Sequence, residues 1–310
     1  MRFHIKASVL LFIIGALLLT AYAFRLESLA LFLWPSAKAH SSNTGGLQLS
    51  GYQVSIDAKP LPGLTDASGL TYHAPSNTLF AVLNQEPVIV QLSLEGEILQ
   101  KIRVEGVTDM EDIAHIRDQM FVLVDEHQNR LFLVDLTRAK GHFDVRGSNQ
   151  IALGFDRNGN KNFEGVSWDH DNHRLIVAKE RDPKRLLEIR GFVGSDQGNS
   201  LEIRNLGDDY PSITALRDLA AVHVHRPTGH LLVLSEESKL IKEFDNTGQH
   251  LSSLLLWSGF HGIEHNVPQP EGITVGPDNS LYVISEPNLF YVFTPSPEAG
   301  GTQPQTKQMI

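Results

Sequence analysis

Between residues 48 and 295 one three-line pattern recurs five times, and that recurrence limits the fold more than any other feature. Its first line is a short strand: SGLTYH from Ser68, EDIAHI from Glu111, EGVSWD from Glu164, AAVHVH from Ala220 and EGITVG from Glu271. Its second is an apolar, β-branched strand ending on a polar residue: LFAVLN from Leu79, MFVLVD from Met120, LIVAKE from Leu175, LLVLSE from Leu231 and LYVISE from Leu281. A third strand follows a turn, as in VIVQLSL from Val88 or RLFLVDL from Arg130. A weaker fourth follows most units, as in ILQKIRV from Ile98 and HLSSLLLW from His250. Units of about 40–50 residues with four strands each are the blades of a β-propeller. The segments joining first to second strands agree, being turn-formers such as Ala74-Pro75-Ser76-Asn77 and Gly276-Pro277-Asp278-Asn279.

The expected fold is therefore all-β, a five-bladed β-propeller of four-stranded blades, preceded by an N-terminal transmembrane helix. The last unit stops after its third strand, and Tyr52 to Asp57 is an unassigned strand before the first unit. Pairing the two would close the ring and hide sheet edges that an open array would expose. A β-sandwich would leave the fivefold recurrence unexplained.

Arg2, His4 and Lys6 precede an uncharged run from Ala7 to Phe24. As a helix this run is about 27 Å long, close to the hydrocarbon thickness of a bilayer. The basic flank keeps the start cytoplasmic and sends the rest outward. The competing reading is a cleaved signal peptide, since Ala21-Tyr22-Ala23 and Ala37-Lys38-Ala39 both resemble cleavage sites. The expected layout is an anchor over 1–25, a linker over 26–47, the propeller over 48–295 and a disordered tail over 296–310.

A net charge of −10 argues against nonspecific nucleic-acid binding. Absence of cysteine excludes disulfides, zinc thiolate sites and cysteine nucleophiles. Neither HExxH, a G-x-S-x-G elbow, a P-loop nor a G-x-G-x-x-G fingerprint occurs, so zinc hydrolysis, serine hydrolysis and nucleotide binding are not indicated.

In a propeller, one column of the repeat becomes one ring around the axis. The column closing the second strand is Asn84, Asp125, Glu180, Glu236 and Glu286, and the column opening the first is Ser68, Glu111, Glu164, Ala220 and Glu271. Asp66, Asp109 and Asp112 add further acid. Carboxylates crowded together raise one another's pKa unless a cation neutralises them. An all-oxygen set suits a hard divalent ion, Ca²⁺ first and Mg²⁺ second. The candidate ligands are thus Glu111, Asp125, Glu164, Glu180, Glu236, Glu271 and Glu286. The alternative for each is an acid that caps a turn or a free backbone N–H. Asp156, Asn158 and Asn160 alternate as in part of an EF-hand loop and form a second candidate site, or else a metal-free Asn/Gly turn.

With the SGLTY, TDMEDIA, NFEGVSWD and QPEGITV segments in this order behind an apolar N-terminus, the chain resembles the SdiA-regulated (YjiK-like) family of bacterial envelope proteins. The resemblance implies a five-bladed propeller distantly akin to NHL-repeat proteins, a shared calcium site and no established activity. A looser likeness, through Phe163-Glu164-Gly165, is to phytase-like and lactonase-like propellers that use a central Ca²⁺. Two functions follow as expectations. One is a periplasmic propeller, tethered to the bacterial inner membrane, that binds Ca²⁺ and a small ligand or envelope protein. The other is a Ca²⁺-dependent hydrolase of phosphoesters or lactones, with Lys179, Arg181, Lys184 and Arg185 as an anion-binding edge.

Overall fold

The structure is a computed structural model and describes residues 2–36, 45–154, 162–194 and 200–296. Five antiparallel sheets follow one another along the chain. The first blade contains β2 (Ala67–His73), β3 (Thr78–Leu83), β4 (Val88–Leu92) and β5 (Ile98–Glu105). The second contains β6 (Met110–Arg117), β7 (Met120–Asp125), β8 (Arg130–Asp135) and β10 (Asn149–Ala152). Between them in sequence, β9 (His142–Asp144) leaves the second blade and adds to β5 in parallel, as a fifth strand on the first. The third blade runs β11 (Phe163–Asp169), β12 (Arg174–Lys179), β13 (Arg185–Arg190) and β14 (Glu202–Asn205). The fourth runs β15 (Ala221–His225), β16 (His230–Ser235), β17 (Leu240–Phe244) and β18 (His250–Leu255).

The fifth blade confirms ring closure. It has β19 (Gln269–Val275), β20 (Leu281–Glu286) and β21 (Leu289–Pro295), and its outer strand is β1 (Tyr52–Pro60) from the other end of the domain. β1 and β21 are antiparallel, with Tyr52 opposite Pro295 and Gln53 opposite Thr294.

Each blade packs both sheet faces against its neighbours, which explains why the second strands are unbroken apolar runs rather than alternating ones. Along β7, Phe121 and Leu123 join a cluster with Phe80 and Val82 of the first blade. Val122 and Val124 face the other way, into a cluster with Val166 and Val177 of the third. Five such clusters fill the five inter-blade seams. A fully buried Val, Leu or Ile contributes about 1.5–3 kcal/mol, so these seams dominate stability. The turns from first to second strand repeat as well. Each contains a left-handed residue, at the same position in four blades, Asn77, His173, Gly229 and Asn279, and one residue earlier in the second, Asp118, with φ between 46° and 71°. Asn, Asp and Gly tolerate that conformation best.

Polar side chains also stitch the innermost strands together. Thr274 Oγ1 accepts from Tyr72 N, Thr71 Oγ1 from His115 N, and Ser167 Oγ from Val224 N. Asp112, buried, accepts from Val166 N of the next blade at 2.7 Å.

At the N-terminus, α1 (Arg2–Ala23) and α2 (Leu26–Ser36) are separate helices. Among the described residues, no single helix is long and apolar enough to cross a membrane. Ser8–Ala23 and Leu26–Leu33 together meet the length and composition, bent by 74° at the break. Arg25 at that break has φ 56°. Of the 26–47 segment, expected as linker, the described residues 26–36 and 45–47 differ from that expectation. α2 docks on the fourth blade, where Leu29, Leu31 and Phe32 pack with its core and Phe32 meets the Phe260 ring edge-on at 5.7 Å. Arg217 pairs with Glu27, bonds Tyr22 O and lies 4.1 Å over the Tyr22 ring. Leu47 and Leu49 are buried, and Leu47 N donates to Glu243 Oε1 at 2.8 Å. The apolar residues of 26–33 had a surface to cover, so the segment folds. The tail from 297 lies outside the described residues.

The innermost strands approach so closely that a side chain on Gly272 has no room. A Cβ there would lie 2.6 Å from Ser68 O and 2.7 Å from Leu70 N, both backbone atoms. Gly272→Ala is expected to destabilise the protein by about 1–3 kcal/mol through overpacking. Urea unfolding checks this, and an unchanged midpoint would show that the first and fifth blades are not held at this distance.

Candidate metal centre

The innermost strands all start at one mouth of the axis, and four of the five start with a β-bulge. The pairing register shifts between Ala67 and Leu70, Met110 and Ile113, Phe163 and Gly165, and Pro270 and Gly272. The bulges carry Ser68, Glu111, Glu164 and Glu271. The fourth blade pairs from Ala221 to His225 without a shift, and there the column holds Ala220. A bulge bends its strand and re-aims a side chain. The polar residue and the backbone irregularity that presents it therefore occur together.

The register corrects the second column by one residue. Asp125 lies opposite Met110, as Lys179 lies opposite Phe163 and Ser285 opposite Pro270. The residue in register with Glu180 and Glu286 is thus Glu126. Its N–H bonds Asp109 O, just as Glu180 N bonds Asn162 O. Asp125 is fully buried and occupied by its own turn, accepting from Gln128 N at 2.9 Å and from Thr108 N at 3.0 Å. Aligning Phe121 rather than Met120 with Leu79 reveals Glu126 in the sequence.

Among the described residues one carboxylate group is tight enough to share an ion: Asp109, Glu111 and Glu126 each place an oxygen within 4.8 Å of the others. Ca²⁺–oxygen distances of about 2.3–2.6 Å put opposed ligands at about this separation. Three blades hold the group. From the first, Asn84 Nδ2 donates to Glu111 Oε1 at 2.6 Å and Ser68 Oγ to Glu111 Oε2 at 3.0 Å. From the third, Asn162 N donates to Glu126 Oε1 at 3.0 Å. Asn84, the neutral member of its column, thus orients an acid.

Burial raises the Glu111 pKa to about 8, and the charges of Asp109 and Glu126 add to it. Burial raises Glu126 to about 7, against the hydrogen bond from Asn162 and with the charge of Asp109. Glu164 and Glu271 are half-buried and both pushed well up, first by burial. Glu164 feels Glu111, Glu126, Glu180 and Glu271, and Glu271 feels Glu236, Glu286 and Glu111. Glu286 is raised by burial and by Asp66. The mouth is one electrostatic unit. Two of the seven expected ligands are neutralised internally, Glu180 by Arg181 and Glu236 by Lys239. Glu111 alone of the seven sits in the tight group. Asp156, Asn158 and Asn160 lie outside the described residues.

The basic cluster expected to bind anions is committed elsewhere. Lys179 Nζ donates to Arg181 O and Lys184 Nζ to Thr214 O, and Arg181 bridges Glu180 and Glu237.

Together the topology and the acidic axial mouth define a closed five-bladed propeller with an oxygen-donor centre. The SdiA-regulated family model matches residues 45–294, and the chain belongs to that family. Among solved structures, the chain is similar to one titled nidogen/laminin complex, at 14% identity over 76% of this chain and 84% of that one, with a TM-score of 0.47. It is also similar to luciferin-regenerating enzyme, at 12% identity over 78% and 94% with a TM-score of 0.48. A third is streptogramin B lyase, at 12% over 81% and 76% with a TM-score of 0.42.

The raised carboxyls give a testable pH dependence. An ordinary Glu ionises near 4.5, so between about pH 5 and pH 8 the unfolded chain releases protons that the native mouth retains. At these carboxyls the native state holds more protons, so their contribution to stability falls as pH rises, whereas the histidines that burial keeps neutral oppose them below about pH 6.5. From about pH 7 to pH 8, above the range in which the unfolded chain's histidines protonate, chelator-treated protein should melt at progressively lower temperature, and Glu111→Gln should flatten that slope. A melting temperature that rises across this window would contradict the assigned electrostatics.

Proposed function

We propose that this protein is a membrane-tethered propeller that holds a Ca²⁺ ion at its acidic axial mouth and binds a ligand or partner outside the cytoplasm. The observation that carries the reading is the Asp109–Glu111–Glu126 group, three carboxylates with oxygens within 4.8 Å and no basic side chain paired to any of them among the described residues. Its donors are all oxygen, which fits a hard divalent cation and disfavours thiophilic metals. Ca²⁺ tolerates irregular, many-ligand shells. Mg²⁺ needs a compact octahedron, so it ranks second. Bound there, the ion would tie the first three blades together at the mouth through Asn84, Ser68 and Asn162.

An ion specific to the native state stabilises it by about 2.7 kcal/mol at a hundred times its dissociation constant. Added Ca²⁺ is expected to raise the melting temperature of chelator-treated protein, and Mg²⁺ to raise it less. Glu126→Gln should abolish most of the response. Asp125→Asn should lower the baseline stability yet leave the response in place, because Asp125 serves its turn. Melting that ignores both chelator and Ca²⁺ would eliminate the site.

The tether rests on α1. From Val9 to Leu19 its large apolar side chains are exposed on every side, an area far beyond what a soluble surface carries. In this reading α1 enters the bilayer while α2 stays on the fourth blade. Removing residues 2–23 should move the protein from the membrane pellet to the soluble fraction with its melting profile intact. Retention in the pellet would point to another anchor. A hydrolase of phosphoesters or lactones remains the competing function, but the cations it needs around the metal are engaged in internal pairs.

A further inference from the structure

The axis has a second end, and its chemistry is the opposite of the first. Three residues down each innermost strand from the acidic ring, about 10 Å away, the column is Thr71, Ala114, Ser167, His223 and Thr274. Four of these are small. The next column is Tyr72, His115, Trp168, Val224 and Val275. Small side chains in one ring and large ones at the rim leave a cavity of about 210 Å³. Trp168, Tyr72, His115, His170, His223 and Arg226 are among its walls, with two proline-bearing turns closing the sides.

The lining contains no carboxylate and one side chain of fixed charge, Arg226. Arg226 is exposed and makes no ion pair with an acid among the described residues. The imidazoles stay neutral. Burial lowers His115 to about 4, assisted by His73, and lowers His223 to about 3. His170 is lowered by burial and by Arg226 itself. His115 Nε2 lies 3.2 Å from Asp118 O. A carbonyl accepts, so Nε2 carries the proton and Nδ1 is left as an acceptor. The pocket therefore offers flat aromatic walls, neutral hydrogen-bonding rings and a single guanidinium.

We propose that this cavity binds a small aromatic monoanion of the size of a single-ring carboxylate. An apolar cavity of about 150 Å³ accommodates a benzene ring, and the larger volume here leaves room for an anionic substituent. Trp168 and Tyr72 supply stacking or edge contacts to a ring. Arg226 supplies the charge, in the forked geometry that matches a carboxylate. The acidic mouth on the other face repels such a ligand, so the two ends of the axis select opposite charges. The site is independent of any ion at the mouth.

The test is calorimetric titration of the detergent-solubilised full chain with benzoate, benzyl alcohol and benzylamine, which share one ring and differ in charge. Benzoate should bind at least about tenfold more tightly than the alcohol, and the amine most weakly. Arg226→Gln should erase the preference for benzoate and leave the affinity for benzyl alcohol unchanged. Ala114→Leu, which fills the cavity from the small column, should abolish binding of both. Glu111→Gln, at the opposite mouth, should leave benzoate binding intact. No heat with benzoate, a preference for benzylamine, or a benzoate affinity insensitive to Arg226→Gln would each overturn the proposal.

Discussion

Every sheet in this protein buries both of its faces, and the rest of the structure depends on that constraint. A blade with two apolar faces is stable only between two neighbours. The first and last blades must therefore meet, and β1 supplies the outer strand that the last blade lacks. Closure is not an ornament of the fold. It covers the faces that would otherwise be left on the terminal blades, and it holds the innermost strands at the spacing that Gly69, Gly165 and Gly272 permit.

That spacing brings the acids together. Five strands that start at one mouth carry one column of side chains to a common axis, and bulges aim four of them. Carboxylates that would be harmless on an open surface become a coupled group, with Glu111 and Glu126 pushed to about 8 and about 7. The fourth blade interrupts the ring with Ala220 and an unbulged strand. Its nearest acid, Asp218, is instead bonded to Ser235 and to Glu237 N. The tight group thus sits between the first three blades, and the charge is relieved at the third and fourth, where Arg181 pairs with Glu180 and Lys239 with Glu236.

The fourth blade is also where the N-terminal helices attach. Arg217 binds Glu27 and Tyr22 O at the junction of α1 and α2, and Lys239 feels the charge of Arg25. An anchor entering at this point would hold the propeller by a folded joint rather than a free linker. It would also set the acidic mouth in a defined relation to the membrane.

Much of this was legible in the chain itself. Repeated local patterns specify their own strands and turns, so five units, their order and the role of Tyr52 to Asp57 in closing the ring follow from sequence alone. The acidity of one column follows too, since a repeat converts column into ring. What the sequence did not resolve depends on contacts between units. Choosing Asp125 over Glu126 is an error of one residue at a bulge, and a bulge is set by pairing with the neighbouring strand. The docking of α2 needed the surface of the fourth blade, and the engagement of Lys179, Arg181 and Lys184 needed the carbonyls and acids of other loops. The cavity at the far end of the axis is lined by three small residues, Thr71, Ala114 and Ser167, from three distant segments. Local propensity fixed the blades, whereas which charges meet, which are cancelled and where a void remains were decided only when the blades packed.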